Sequence, residues 1–553
     1  MNYLLIFFTS LIFTLFFTPY LISYLKRSRV VDLPGKRRIH TSVVPRMGGL
    51  IIFLITSVML LSFYTDLNAI RLVIIAANII LLIGIFDDML GLDYSAKFLL
   101  QVAATILVIF YLAVRYENVQ LFGVTIPYPL DYILLGLFIL GGINSINLLD
   151  GMDGLVSGFS LLIFSIIMAL AVISGDTFLL IISSSLLGSL LGFLKYNAYP
   201  AKIFLGDTGS LTLGFFLVTT AILTSINYSN NQLDLTFPII LMAIPIIDTL
   251  RVMLFRIIRK QNPFLPDRTH LHHIISENNI SHKFTVFLIE GFTVIFVILG
   301  LYYIKVSHFV PTILFFIISF ALLFINPIIR FIISRVNIKN YSFTLKNKYP
   351  LEYLLRMEKS LIIFSTLLIA QIVVSNFPQR ANISTNLVLM FFIIGIIMFL
   401  LAYDHQKKSK DISDLYTFIN LSAFFIITNL NSTSIFSLSE NHFYMGSVTE
   451  VSYYLLTLMI VLIFLISEKV FPVKKIALSG IDLTLIIFII LVLIIKNLIS
   501  FHFDEFFSIS FIQAFIFYLW YKIIITVKSE FSKVMFYASF ALPFSALIIL
   551  FFY

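Results

Sequence analysis

The chain has 553 residues, 60% of them hydrophobic and only 12% charged, with a mean hydropathy of +1.03. That composition excludes an ordinary soluble globular domain and describes an all-α, polytopic integral membrane protein. The formal charge of +9 reads as Lys and Arg gathered in cytoplasmic loops rather than as a nucleic-acid surface, and the lack of Cys excludes disulfides, thiolate nucleophiles and Cys-based metal sites.

At about 17 to 25 apolar residues per span, the first part of the chain predicts roughly eleven helices, over 3–25, 48–64, 71–86, 98–114, 131–149, 155–174, 178–194, 211–226, 237–257, 284–304 and 309–333. The first segment has no basic n-region and no Ala-x-Ala site, so it is expected to be a transmembrane helix rather than a signal peptide. The loop that follows carries Lys26, Arg27, Arg29, Lys36, Arg37, Arg38 and Arg46. Such a loop belongs in the cytoplasm, which puts the N-terminus outside. Alternation from there places the loops that begin at Asp87, Asn144, Lys195 and Arg256 on the same cytoplasmic side.

Residues 336–360 form a polar, basic linker between two membrane units, 1–335 and 361–553. About seven further spans are expected over 361–377, 387–403, 415–430, 451–466, 481–495, 508–527 and 534–553. No repeat relates this extension to the first unit, and it contains no catalytic constellation. Its bland reading is a structural or oligomerisation unit, and its functional one a coupling to a later lipid-linked step.

The most specific stretch is Asn144-Ser145-Ile146-Asn147-Leu148-Leu149-Asp150-Gly151-Met152-Asp153-Gly154. On a helix Asn144, Asn147 and Asp150 share one face, and Gly151 and Gly154 then end the helix and free backbone N–H groups. Such a cluster suits a divalent cation and the phosphates it carries. Asp87 and Asp88 close the third predicted helix, where their charge opposes the helix macrodipole and calls for a compensating cation, and Lys97 follows on the same side. Gly206-Asp207-Thr208-Gly209-Ser210 offers free N–H groups to an anion at a helix start, or a simple cap. Asp248, inside the ninth predicted helix near Pro245, is a site candidate because carboxylates are costly at depth; the bland alternative is an i, i+3 pair with Arg251. Arg268, His270, His272 and His273 suit a phosphate-facing loop better than a zinc site.

In this order these pieces, with Pro45-Arg46-Met47-Gly48-Gly49 and Lys97-Phe98-x-x-Gln101, resemble the polyprenyl-phosphate N-acetylhexosamine-1-phosphate transferase family over about residues 1–335. The resemblance implies eleven helices and an active site on the cytoplasmic face of the cell membrane. The implied reaction moves a sugar 1-phosphate, with N-acetylglucosamine the expected sugar, from a UDP-amino sugar to a polyprenyl phosphate such as undecaprenyl phosphate. UMP leaves, and lipid-linked polysaccharide synthesis begins. It also implies Mg²⁺, with Mn²⁺ as substitute, held by Asp248 and Asn147 with Asp88 as a further candidate ligand. Asp87 would accept or orient the acceptor's proton, a covalent intermediate on it being the less economical route. Lys97, Arg268 and His270 would hold phosphate oxygens, and Asp150 and Asp153 would shape the nucleotide site. The lipid bilayer is a partner, nucleic acid is not, and a homodimer is compatible with the pattern.

The related muramoyl-pentapeptide transferases share the Asp pair and the Asn/Asp run, but their three consecutive His are interrupted here as His270-Leu271-His272-His273. A cation-coupled transporter is the alternative from another class. It would place its polar groups near the midplane between repeats, whereas these crowd one face.

Overall fold

A computed structural model describes residues 2–32, 43–229, 232–261, 269–278, 280–306, 308–327, 480–499 and 518. The elements run α1 (Asn2–Arg27), β1 (Val31–Asp32), β2 (Val44–Pro45), α2 (Gly49–Phe63), α3 (Arg71–Leu90), α4 (Tyr94–Leu112), β3 (Val119–Leu121), β4 (Val124–Ile126), α5 (Leu130–Leu149), α6 (Leu155–Ser174), α7 (Thr177–Asn197), α8 (Gly206–Tyr228), β5 (Leu233–Asp234), α9 (Thr236–Leu241), α10 (Ala243–Ile258), α11 (Leu271–Glu277), α12 (His282–Lys305), α13 (Phe309–Leu323) and α14 (Gly480–Ile499). Among the described residues eight helices are long and apolar enough to cross a membrane, and 49–63, 309–323 and 480–492 are shorter apolar helices. The chain is therefore an all-α, multi-pass membrane protein.

Two compact units divide it, residues 1–336 with 479–499, and 337–478 with 500–553. The expected second domain began at 361, yet the helix Gly480–Ile499 sits within the first unit. Of the second unit only Tyr518 is described, a buried aromatic; the other expected spans there lie outside the described residues.

The helix α8 is the axis of the first unit. Its apolar window is buried along its whole length, while only 33% of that of α4 is covered, the lowest share among the eight long apolar helices described. Backbones approach closely wherever glycine removes a side chain. On α7, Gly188 and Gly192 are four residues apart and face α1: a Cβ on Gly188 would stand 2.1 Å from the carbonyl oxygen of Phe7, and one on Gly192 2.9 Å from that of Leu11. This small-residue contact replaces the hydrophobic driving force that lipid does not supply, and Ser10 and Ser185 add a hydroxyl contact at 3.1 Å.

Three helix ends cross in the same way beside the motif loops. A Cβ on Gly49 would fall 1.9 Å from Cα of Gly209, and one on Gly84 2.4 Å from Cα of Thr208. The starts of α2 and α8 and the end of α3 are thus in backbone contact. At the opposite ends of the helices β3 pairs with β4 antiparallel and with β5 parallel. These short strands were not expected from the sequence.

The predicted span 237–257 is two helices, α9 and α10, broken at Met242. Pro238 and Pro245 flank the break, and neither has an N–H to donate to the helical ladder. Asp87 and Asp88 lie in the last turn of α3, which ends at Gly91 with φ +70; a residue with a Cβ adopts that conformation only at a cost.

The crossing at Gly49 yields a direct test. Gly49→Ala should lower thermal stability in detergent by about 1–3 kcal/mol through overpacking. Gly291→Ala, with nothing within 4 Å of the added methyl, should be neutral or stabilising by up to about 1 kcal/mol. Equal melting shifts for the two would contradict the close crossing.

Candidate functional site

The motif loops of α3–α4, α5–α6 and α7–α8 converge at one end of the bundle, and the first turn of α8 is their meeting point. Its leading N–H groups have no intrahelical acceptor, and Asp88 supplies one from α3. Asp88 Oδ1 accepts the N–H of Asp207 at 3.1 Å, while Oδ2 accepts the N–H of Thr208 at 2.9 Å and its hydroxyl at 2.7 Å. A carboxylate at a helix N-terminus is favourably placed for the dipole as well. Asp88 therefore fixes α8, with both oxygens already accepting hydrogen bonds.

Asp87 meets the compensation that its place at a helix C-terminus requires. Oδ1 accepts the N–H of Leu92 at 2.9 Å, and Oδ2 accepts Lys97 Nζ at 3.2 Å. Lys97 also donates to Asp207 Oδ2, so one ammonium joins two carboxylates from different helices. On the other side of Asp207, Asn147 Nδ2 donates to Oδ1 at 3.1 Å and to Ser210 Oγ at 2.8 Å. Asp207 is thus held by Lys97 and Asn147 together, a placement beyond a simple cap.

Next to this cluster opens a cavity of about 570 Å³, within the usual size range for a small-molecule site. Its lining includes Asp32, Asp88, Asp150, Asp153 and Asp207, together with Arg46, Asn147, Tyr199, His273 and His282. Arg46 donates to Asp32 Oδ1 at 2.6 Å. Asp153 Oδ2 accepts the N–H of Ala201 at 3.0 Å, which ties the α5–α6 turn to the α7–α8 loop. Tyr199 and His282 are stacked, with centroids 4.4 Å apart and planes at 28°. Asp150 lies just beyond the end of α5; burial, followed by the charges of Asp207, Asp88 and Asp153, pushes its carboxyl up to about 8.

The histidine loop is arranged by Asp248. Its Oδ1 accepts Arg251 Nη2 at 2.8 Å and the N–H of Leu271 at 2.8 Å, and its Oδ2 pairs with His270 Nδ1 at 2.9 Å. Arg251 donates in turn to the carbonyl of Thr269. His272, 2% exposed, lodges against Gly151, where a Cβ would stand 2.1 Å from its Nε2. Burial, with the neighbouring His273 imidazole, pushes His272 down to about 3, so it is neutral at physiological pH. Of the three His, His273 reaches the cavity.

The structure brings together Asp87, Asp88, Lys97, Asn147 and Asp207 directly, and Asp150, Asp153 and His273 at the adjoining cavity. Asn144 stands behind them, donating to Gln101 Oε1 at 2.7 Å and to the Leu140 carbonyl at 2.8 Å. The sequence reading paired Asp248 with Asn147 as metal ligands; here neither a hydrogen bond nor the cavity joins them, because each hydrogen-bond partner of Asp248 comes from α10 or the α11 turn. The i, i+3 pair with Arg251 is present. Arg268 lies outside the described residues. Asp32, Arg46, Tyr199 and His282 were not chosen from the sequence. Arg46 carried a signal, a lone cation in the Pro-Arg-Met-Gly-Gly run, whereas the other three carried none.

Residues 70–225 match the family described as glycosyl transferase family 4. The chain is similar to the probable undecaprenyl-phosphate N-acetylglucosaminyl 1-phosphate transferase of Bacillus subtilis, with 34% identity over 293 residues, 51% of this chain and 80% of that protein. It is 34% identical over 290 residues to the undecaprenyl-phosphate alpha-N-acetylglucosaminyl 1-phosphate transferase of Thermotoga maritima, 52% of this chain and 87% of that one. Similarity extends to the phospho-N-acetylmuramoyl-pentapeptide-transferase of Staphylococcus aureus, with 32% identity over 268 residues, 44% of this chain and 81% of that protein.

Two carboxylates in the site should separate by their stability behaviour. Asp88→Ala should destabilise by about 1–3 kcal/mol, since it leaves buried donors at the start of α8 unpaired. For Asp150, a folded pKa raised to about 8 means the folded state binds the proton more tightly than the unfolded one. Its ionisation therefore lowers stability increasingly between about pH 4 and pH 8. Melts of wild type and Asp150→Asn should diverge over that range, the variant gaining as pH rises and the gap levelling above pH 8. A constant gap would contradict the shift.

Proposed function

The chain belongs to glycosyl transferase family 4, and we propose that it transfers N-acetylglucosamine 1-phosphate from UDP-N-acetylglucosamine to undecaprenyl phosphate or a similar polyprenyl phosphate, releasing UMP. The observation that carries this reading is the convergence of Asp87, Asp88, Lys97, Asn147 and Asp207 at the membrane-span ends, beside a cavity whose wall includes five carboxylates. A lipid-anchored phosphate has to reach its reaction at the end of a span, and a nucleotide has to reach it from water. A transporter site belongs near the midplane. With the charge pattern of the loops, this supports a cytoplasmic-face site in the cell membrane and an external N-terminus.

A divalent cation fits the residues present. Five carboxylates face the cavity beside the guanidinium of Arg46, and the donor set is oxygen-rich, which suits Mg²⁺ or Mn²⁺. Among the described residues no three carboxylate or imidazole groups close on one point. Mg²⁺ takes one or two protein carboxylates and completes its shell with water and substrate phosphates. Asp207 and the carbonyl oxygen of Asn147 are the groups that would hold it, with Asp150 on the same cavity; Asp248 supports the histidine turn. When bound, the cation neutralises the diphosphate and stabilises the charge that builds on the departing nucleotide phosphate.

The remaining work is positioning and charge placement by the chain itself. Lys97 holds an oxygen of the acceptor phosphate and Asp87, already bonded to Lys97, takes or orients its proton. An acceptor oxygen then attacks the sugar-side phosphorus, and the bond to UMP breaks. Arg46 and His273 stand on the cavity wall as donors to diphosphate oxygens. The stacked Tyr199 and His282 present an aromatic edge to the nucleobase side, and Asp88 keeps α8 in register.

The test is UMP release by the purified full-length chain with UDP-N-acetylglucosamine, undecaprenyl phosphate and Mg²⁺. Turnover should require the prenyl phosphate, and Asp207→Asn or Lys97→Ala should lower kcat by about 100-fold or more. Release from the muramoyl-pentapeptide donor alone would reassign the sugar. UMP formation without acceptor, or a fully active Asp207→Asn, would contradict the mechanism.

A further inference from the structure

Glu290 lies inside α12 with no accessible surface, at a depth where a carboxylate is costly. Its Oε1 accepts the hydroxyl of Thr484 at 2.9 Å, across 194 positions of sequence, and its Oε2 meets no partner among the described residues. The carboxylate also lies over α6 at Gly158, where a Cβ would stand 1.9 Å from Oε1. Three helices therefore meet at one carboxylate, and one of them, α14, lies outside residues 70–225 that match the family. Leu485, Phe488 and Leu491 of α14 are buried, so the helix is packed rather than peripheral.

The start of α14 reaches the site. A Cβ on Gly480 would stand 3.5 Å from the backbone N of Tyr199 and 3.8 Å from Cβ of Ala198. The seam is closely packed, leaving a space of only about 10 Å³ lined among others by Asp153, Tyr199, His282, Glu290, Gly480 and Thr484. Tyr199 and His282 are the stacked pair on the cavity wall, and His282 opens the same helix that carries Glu290. A hold on α12 and on the Ala198–Tyr199 backbone is thus a hold on that wall.

We propose that α14 is a working part of the catalytic unit: the Glu290–Thr484 contact clamps it behind the Ala198–Tyr199 wall, and the clamp positions Tyr199 and His282 for the nucleotide donor. Glu290 and Thr484 are positioning residues, and the extension supplies one side of the donor site's support. The kinetic part of the test rests on the function given above; the docking part does not.

The full-length chain has no native Cys, so an introduced pair reports without background. Ala198→Cys with Gly480→Cys places two Cβ atoms at a separation of 3.8 Å, inside the disulfide range of about 3.5–4.5 Å. After mild oxidation in membranes and then denaturation in SDS, this pair should be protected from a mass-tagging maleimide. The control, Ala198→Cys with Ile490→Cys on the 46% exposed face of α14, should remain labelled. Thr484→Val and Glu290→Leu should slow oxidation of the pair and raise the donor KM by about 3- to 10-fold, the range expected for one interhelical hydrogen bond in lipid, with kcat changed less than about 2-fold. Thr484→Ser and Glu290→Gln, which keep a donor and an acceptor in place, should restore both. The proposal is overturned if the pair oxidises no faster than the control, or if Thr484→Val and Glu290→Leu leave the donor KM unchanged. A wild-type chain without UMP release would fault the assigned reaction instead, and the disulfide result would then decide the clamp.

Discussion

The site depends on the hydrogen bonds between Asp88 and the first turn of α8. A helix buried along its whole apolar window cannot leave its leading N–H groups to water, and here the acceptor comes from a neighbouring helix rather than from a cap of its own. That single carboxylate places Asp207, and through Asp207 it places Lys97 and Asn147. The glycines at 49, 84 and 209 belong to the same arrangement. An added Cβ at 49 or 84 would stand 1.9 or 2.4 Å from the α8 backbone, so side chains there would push the helix ends apart and strain the hydrogen bonds of Asp88.

Much of this was legible in the sequence because polar groups in an apolar chain have few reasons to be where they are. The alternation of spans and basic loops put the four polar clusters on one side, and the structure joins three of them by direct hydrogen bonds. The Asn144 to Gly154 run behaves as its pattern implies: α5 ends at Leu149, Gly154 takes a positive φ of 80°, and Asn147 faces the α8 start. Lys97 is the cation that the Asp87–Asp88 pair required.

Other features were hidden for definable reasons. A carboxylate at depth signals a need for partners without naming them, and the partners of Asp248 are Arg251, His270 and the Leu271 N–H. The break at Met242 lies between two prolines inside an unbroken apolar run, and hydropathy is blind to a turn that stays apolar. Asp32 and His282 reach the cavity through tertiary packing that local patterns do not encode. The docking of α14 is more remote still, since Thr484 is an ordinary threonine until Glu290 is found beside it.

The imbalance of charge on the cavity wall has a consequence for what the site admits. Even with Asp150 protonated at neutral pH, the carboxylates on the wall outnumber the guanidinium of Arg46, which disfavours a bare polyanion drifting in from solution, whether inorganic phosphate or a free nucleotide. Only an anion that arrives with its own counter-charge, or finds one already lodged there, meets a favourable field. The wall thus bears on the electrical state of a visitor as well as on its shape.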